Sequence, residues 1–173
     1  MNPMSRTEIG SRLTPYDDLY ETCERTCAKL LIYPGEQSPD TITECLGIVP
    51  TQVNRKGEKR ISQRTGRSHI VKMNGWFLFS EEHVVSKDLR RHLDWLIERL
   101  GPAREPLLAL QETTNVVMTI SCVWWSAHGH GGPTLWPQQM RAMADLGLEC
   151  SFDVYFFGEQ FPPVPDGGGG ITR

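Results

Sequence analysis

Two histidines separated by one glycine are the residues of this chain that most resemble a metal site. His128 and His130 lie in the segment CVWWSAHGHGGPTLWP, residues 122–137. Imidazole nitrogens bind Zn²⁺, and cysteine thiolates would have to complete the tetrahedral set. Structural zinc sites use closely spaced cysteine pairs, and glycines on both sides make this segment typical of a loop. We therefore predict no metal and no cofactor, although four thiols could supply ligands: Cys23, Cys27, Cys122 and Cys150.

Nucleophilic catalysis is the second chemistry that these residue types suggest. It needs an accessible, activated thiolate beside a histidine. Three of the five cysteines fall on apolar patterns typical of a core, whereas Cys23 and Cys27 lie near the start of an element. The sequence has no Gly-x-Ser-x-Gly elbow, no Walker loop and no dinucleotide-binding glycine motif. We assign no catalytic residue, and a metal-dependent enzyme using His128 and His130 stays an alternative.

A basic stretch could bind phosphate groups. Residues 49–69 carry six Lys or Arg residues and one Glu, while the rest of the chain is acidic. Such cations would give salt-dependent binding of nucleic acid or of another phosphate ligand. The interpretation we favour is a solvated loop or β-ribbon that balances acidic surface elsewhere. The candidate phosphate-binding residues are Arg55, Lys56, Lys59, Arg60, Arg64 and Arg67.

Adjacent tryptophans indicate a surface for a partner. Trp124 and Trp125 follow one another on a strand pattern, so their side chains must point to opposite sides of a sheet. If helices cover one side, the other indole is exposed or covered by a partner, by the N-terminal arm or by a second copy. Tryptophan is enriched at binding hot spots. The partner-binding residues we predict are Trp125, His128, His130 and Trp136.

Apolar patterning and punctuation residues indicate the elements that would position these side chains. Val, Ile and aromatic residues favour strands, and a repeat near 3.6 residues favours helices. Ser38 and Ser86 are expected to cap two of the helices, and a short helix is expected within 16–27. The predicted strands span 28–34, 70–80, 115–125 and 149–158, and the predicted helices span 38–47, 86–102, 105–112 and 137–147.

This order predicts an α+β fold, a two-layer sandwich with an antiparallel or mixed sheet and helices on one face. Two strand-helix-strand units, each with Leu-Gly-apolar after its helix, indicate a pseudo-repeat of ferredoxin-like character. We expect a flexible N-terminal arm over 1–22, a single domain over 23–160 and a flexible Pro/Gly-rich tail over 161–173.

Composition favours an ordinary globular protein. The 173 residues carry a formal net charge of -3, with 39% apolar and 23% charged residues. No apolar run approaches the roughly 18 to 20 residues that span a bilayer. The first residues lack the apolar core of a secretory signal, and five irregularly spaced cysteines argue against a disulfide framework. We therefore expect a cytoplasmic location.

Four segments together resemble a known family. They are TECLGIVPTQVNRKGE, GWFLFS, LRRHLDWLIERLGP and MADLGLECSFDVYFF, within residues 27 to 158. This set is similar to the bacterial domain of unknown function DUF4279. The resemblance implies a small bacterial α+β domain and carries no established catalytic residue. The family tends to have a small polar residue before the proline that opens the last helix, and Trp136 stands there instead.

The function we predict is a non-catalytic bacterial interaction module, with an immunity-like or inhibitor role as one example. Its partner would be another protein, and a homo-oligomer is possible. Nucleic acid is the less favoured partner, and no membrane is expected. These expectations follow from small size, from the family resemblance and from the lack of a catalytic pattern.

Overall fold

The computed structural model describes residues 13–62 and 65–156. They form a five-stranded sheet in the order β2-β5-β1-β6-β7 and a separate β3-β4 ribbon. All neighbouring strands of the main sheet run antiparallel except β6 and β7, which are parallel. The strands are β1 (Cys23–Tyr33), β2 (Gln52–Asn54), β3 (Lys59–Ile61), β4 (Ser68–Ile70), β5 (Gly75–Phe79), β6 (Val117–Ser126) and β7 (Cys150–Phe156).

Helices cover one face of the main sheet and enclose a single apolar core. They are α1 (Pro39–Leu46), α2 (Leu89–Leu100), α3 (Arg104–Gln111) and α4 (Pro137–Asp145), with a 3₁₀ turn at Gly101–Ala103. The leucine stripe of α2 packs onto the inward side chains of β1, among them Leu30 and Ile32. This arrangement confirms the predicted two-layer α+β fold with a mixed sheet. None of the helices in the described part of the chain is long and apolar enough to cross a membrane.

Local signals explain where the helices begin and end. Ser38 accepts a hydrogen bond from the Asp40 backbone N–H, and Gly47 ends α1 with a φ of 65°. The expectation that Ser86 caps α2 is wrong, because the cap is Asp88, whose carboxylate accepts from the Arg90 N–H. Asp88 takes this position because its carboxylate also pairs with the Arg90 side chain.

The chain before the predicted first strand forms turns and then a strand rather than a helix. The short helix expected within 16–27 is wrong, because β1 begins at Cys23 and pairs with β6 as far as Ser126. Strand pairing supplies the hydrogen-bond partners that a helix would have supplied locally. Residues 14–22 contact the domain, whereas residues 1–12 of the predicted arm, the end of the domain at 157–160 and the tail at 161–173 lie outside the described residues.

The predicted repeat stays a prediction, because its two units differ in strand order. In the second unit, α4 connects β6 to β7, and these two strands are parallel and directly adjacent in the sheet. In the first unit, β5 lies between β1 and β2. The basic stretch is a β-ribbon, as one of its two interpretations predicted, and its first strand joins the main sheet beside β5.

Candidate functional site

The side of the sheet that faces away from the helices, called here the open face, carries a groove between its strands. Its groove has a volume of about 520 Å³. Alternate residues of the strands project into it, as the period of a strand requires. The groove is lined by Lys29, Leu31, Tyr33, Gln52, Phe77, Phe79, Ser121, Val123, Trp125, Asp153 and Tyr155.

Trp125 lies at one end of the open face between two other side chains. The Arg25 guanidinium lies 3.9 Å from the centre of its ring, and the Tyr155 ring stacks beside it at 5.7 Å. Arg25 also approaches Glu81 at 3.7 Å. Trp125 stays half-buried, so its indole is held in place while part of it faces solvent. A rigid aromatic ring of this kind is a typical anchor for a protein partner.

The other end of the open face is also aromatic. Phe77 packs edge-on against Tyr33 at 5.6 Å and lies parallel to Phe79 at 6.1 Å. The Lys29 ammonium lies 5.2 Å from the centre of the Phe79 ring. Asp153, on β7, accepts a hydrogen bond from Ser121. The open face therefore carries apolar rings with single charges of both signs.

The two adjacent tryptophans point to opposite faces, as predicted. Trp124 is fully buried on the helix side and packs edge-on against Tyr20 at 5.1 Å. Its indole N–H has no hydrogen-bond partner among the described residues. Trp125 therefore belongs to the open face because strand alternation leaves it no other side.

His128 and His130 are exposed in the loop beyond the end of β6. Their ring centres are 5.9 Å apart, and His130 Nδ1 lies 3.3 Å from the His128 carbonyl oxygen. Within residues 13–62 and 65–156, no three His, Cys, Asp or Glu side chains are grouped so that they could hold a metal. Among the side chains that the structure describes, these two histidines therefore have no third ligand of the kind that zinc requires.

Trp136 lies on the helix side, away from Trp125. It begins α4, packs against Tyr16 at 4.4 Å and donates its indole N–H to the Thr14 carbonyl. Its backbone N–H donates to the Gln139 side chain, while its own side chain offers no capping oxygen. The structure therefore does not bring the two predicted tryptophans onto one surface, because α4 crosses back over the helix face.

Internal ion pairs hold several of the ribbon cations. Arg55 contacts Asp40 at 2.6 Å, and Lys56 contacts Glu36 at 2.7 Å. Arg60 pairs with Glu58 and also donates to the Val53 carbonyl. Lys59 and Arg67 have exposed positions on the ribbon, and Arg64 lies outside the described residues. Paired cations have less charge to offer a phosphate ligand than the sequence alone indicates.

Cys23, Cys27 and Cys122 are poorly activated for nucleophilic catalysis, whereas the contact with Cys122 lowers the pKa of the half-buried Cys150. Burial raises the pKa of the Cys23 thiol to about 11 and raises that of Cys27 as well. Cys122 lies with its sulfur 3.6 Å from that of Cys150, and this contact together with burial raises the pKa of Cys122. A thiol with a raised pKa is a poor nucleophile at neutral pH.

Sequence reasoning missed two buried polar groupings beside α2. Arg90 and Asp88 form an ion pair whose side chains are 2% and 1% exposed. His92 Nδ1 lies 2.8 Å from the Ser80 hydroxyl, and His92 Nε2 lies 2.9 Å from the Ser86 carbonyl. The residues of each grouping lie within about a dozen positions of one another, but charged and polar residues before a helix are common on solvent-exposed surfaces, so the sequence did not signal their burial. Both are closed to solvent and are structural.

The open face itself had a signal in the sequence. Lys29, Leu31 and Tyr33 alternate with core residues, and the pairs Phe77/Phe79 and Val123/Trp125 do the same. This second period-2 set of apolar residues indicates a sheet whose two faces are both apolar.

Comparison with known proteins gives one match. The family model "Domain of unknown function (DUF4279)" matches residues 22–157. No curated protein and no solved structure matches the chain significantly.

Proposed function

The chain belongs to the DUF4279 family, a domain of unknown function, and from this premise we propose that it is a non-catalytic module that binds another protein through its open face. The observation that carries the proposal is the half-buried Trp125, which Arg25 and Tyr155 hold at the end of an apolar groove. A solvent-facing groove of rings and aliphatic chains stabilises a partner by burying apolar surface.

The chemistry of the groove defines the partner segment. Leu31, Phe77 and Val123 form an apolar floor, while Lys29 and Asp153 provide one charge of each sign. A complementary segment presents apolar or aromatic side chains with a carboxylate and a basic group at its edges. An inhibitor or immunity-like role in a bacterium is one example of the proposed function, because it requires a binding surface and no catalytic group.

A reducing compartment such as the cytoplasm fits this role. All five cysteines are free thiols, including Cys122 and Cys150 with their sulfurs 3.6 Å apart. An oxidising compartment favours disulfides between thiols that lie this close together. We therefore keep the cytoplasm as the proposed location.

The test compares Trp125→Ala with the wild type. Proteins that co-purify with the wild type from the native host are identified, produced and measured with purified components by calorimetry. Because hot-spot truncations remove at least about 2 kcal/mol of binding free energy, we expect Trp125→Ala to weaken the affinity at least roughly tenfold. Val85→Ala is the matched control, since Val85 is a fully exposed apolar residue and does not line the groove.

Two outcomes contradict the proposal. One is a partner that binds Trp125→Ala as tightly as the wild type, and the other is the absence of any enriched protein. Nucleic-acid affinity that falls steeply with salt and disappears in Lys59→Glu/Arg67→Glu would instead establish the ribbon as the binding site. Stoichiometric zinc lost in His128→Ala/His130→Ala would establish the metal alternative.

A further inference from the structure

The outer strand β7 is exposed on both faces. Four of its side chains keep large exposed fractions: Phe152 42%, Val154 60%, Tyr155 43% and Phe156 44%. β7 also runs parallel to β6, and parallel strands are normally buried on both faces. An exposed apolar edge strand without Lys or Pro is a template for pairing with another strand. The edge therefore lacks a covering element among the described residues.

The backbone of β7 presents alternate hydrogen-bonding groups to solvent. The Ile120 N–H donates to the Glu149 carbonyl, which fixes Glu149 as a residue whose backbone points toward β6. Because successive residues alternate, 151, 153 and 155 also point toward β6. The backbone groups of Phe152, Val154 and Phe156 therefore point outward from the sheet. Three residues at spacing two are what an added antiparallel strand needs.

We infer that this edge pairs with β7 of a second copy of the chain, antiparallel, with Val154 on the two-fold axis. A two-fold axis perpendicular to the sheet can lie at a hydrogen-bonded pair such as Val154 or at a non-hydrogen-bonded pair such as Asp153. The second register sets two Asp153 carboxylates directly opposite each other, and like charges in that position destabilise the pairing. The axis at Val154 pairs Val154 with itself and Phe152 with Phe156 of the other copy. Phe152, Val154 and Phe156 of each strand then exchange backbone hydrogen bonds, while Cys150, which also points outward, lies beyond the paired stretch.

This register is also complementary in its side chains. On the helix side it joins two Phe152–Phe156 pairs around a central pair of valines, and aromatic and β-branched cross-strand pairs stabilise antiparallel strands. On the open face it places Asp153 opposite Tyr155 rather than opposite another Asp153. An axis at Phe152 leaves Phe156 without a partner and brings the half-buried Cys150 into the pairing.

A second copy is a better occupant than the chain that follows β7. The sequence from 161 to 165 is Phe-Pro-Pro-Val-Pro, and proline has no N–H to donate to a neighbouring strand. The dimer joins the two main sheets into one and sets both open faces on the same side. This inference stands without the proposed protein partner, because it concerns only β7 and its own copy.

Sedimentation of the full chain over roughly 1 to 100 µM tests self-association. We expect a concentration-dependent dimer for the wild type. Val154→Lys puts two ammonium groups beside each other on the axis, so its dissociation constant should rise at least tenfold. Val154→Thr keeps the branched, uncharged shape and should dimerise within a few-fold of the wild type. Val85→Lys is the control for an added charge at an exposed site, and circular dichroism checks that every variant is folded.

Cross-linking tests the register. In a Cys45→Ser background, Val154→Cys places two thiols across the axis, within the roughly 5.5 Å Cα separation that suits a disulfide. Oxidised glutathione should convert this variant to a covalent dimer and leave the equivalent Val85→Cys variant monomeric. A wild type that stays monomeric throughout, a Val154→Lys variant that dimerises like the wild type, or a Val154→Cys variant that does not cross-link overturns the inference.

Discussion

Buried polar residues beside α2 anchor the chain before β1. Arg90 donates to the Asp88 carboxylate and to the carbonyl oxygens of Thr14 and Pro15, while the Asp88 carboxylate accepts from the Asp17 N–H. Burial opposes ionisation of Asp88, but the hydrogen bonds from Arg90 and Asp17 outweigh it and lower the pKa of the carboxyl. A buried pair of this kind stabilises little by itself, yet removal of one partner leaves an unpaired buried charge.

His92 occupies a site that accepts only its neutral form. The Ser86 carbonyl can only accept, so Nε2 carries the proton, and Nδ1 accepts from the Ser80 hydroxyl. That hydroxyl in turn accepts from the Ala28 N–H. Burial lowers the pKa of His92 below its ordinary value of 6.5, although the hydrogen bond to Ser86 opposes this effect. Protonation would leave the Ser80 hydrogen without an acceptor.

We therefore predict a pH dependence of stability. Below pH 6.5 the unfolded chain binds a proton at His92 more readily than the folded protein does, so the free energy of unfolding falls as the pH falls from 6.5 through the lowered pKa. Above pH 6.5 this contribution is complete. Urea unfolding of the wild type and His92→Gln, between roughly pH 4.5 and 7.5, measures it.

The variant separates His92 from other groups. At neutral pH His92→Gln should lose about 1 to 3 kcal/mol, because one of the two hydrogen bonds is left unmade. Its stability should then change less between the two ends of the pH range than that of the wild type. His69→Gln is the control, since His69 is exposed on β4. Equal slopes for the wild type and His92→Gln would contradict the assignment.

At the scale of elements, the loop between β6 and α4 depends on its glycines rather than on its histidines. Gly129 and Gly131 have φ values of 72° and 83°, which non-glycine residues rarely adopt. A Cβ on Gly131 would lie 2.4 Å from the Thr22 hydroxyl oxygen. The close approach brings the loop against the segment before β1, where the Tyr20 hydroxyl also donates to the Gly132 carbonyl.

A pair of alanine substitutions tests this role of the loop. Gly131→Ala should lower the free energy of unfolding by about 1 to 3 kcal/mol, because it adds backbone strain and a clash with Thr22. Gly132→Ala is the matched control, since its Cβ would meet no atom within 4 Å and its φ is not positive. Thermal unfolding of both variants measures the difference, and equal stabilities would show that Gly131 is not needed for packing.

At the scale of the whole molecule, the sheet has a stable centre and exposed edges. β1 lies between β5 and β6 and contributes its inward side chains to the one apolar core. The β3-β4 ribbon lies outside the main sheet, and its side chains are mostly exposed. Local opening is easiest where few apolar contacts resist it, so stability should fall from the centre of the sheet outward.

Hydrogen exchange measures this gradient. We expect the slowest amide exchange in β1 and β6 and fast exchange in the β3-β4 ribbon. The outward amides of Phe152 and Val154 should exchange more slowly as the protein concentration rises, because a second copy covers them. Exchange at these two amides that does not depend on concentration would count against pairing along β7, while the order of the other strands would be unaffected.

Part of the candidate site could be predicted from the sequence. Alternation along a strand is a local property, so it determined that Trp124 and Trp125 point to opposite sides. Together with the roughly 3.6-residue repeat of the helices, it predicted the order of the elements and the α+β class. Alternation does not say which elements cover each side, so the placement of Trp136 on the helix face could not be predicted from its nearness to Trp125 in the chain.

The sequence by itself determined the periods, the turns and the α1 caps, because these depend on neighbours within a few residues. Only the tertiary structure decided that β5 lies between β1 and β2, that Asp88 rather than Ser86 caps α2, and that the helices leave the open face uncovered. Each of these depends on contacts between residues far apart in the chain. Several arrangements agree equally well with the local sequence patterns, and the energies of the long-range contacts decide which of them forms.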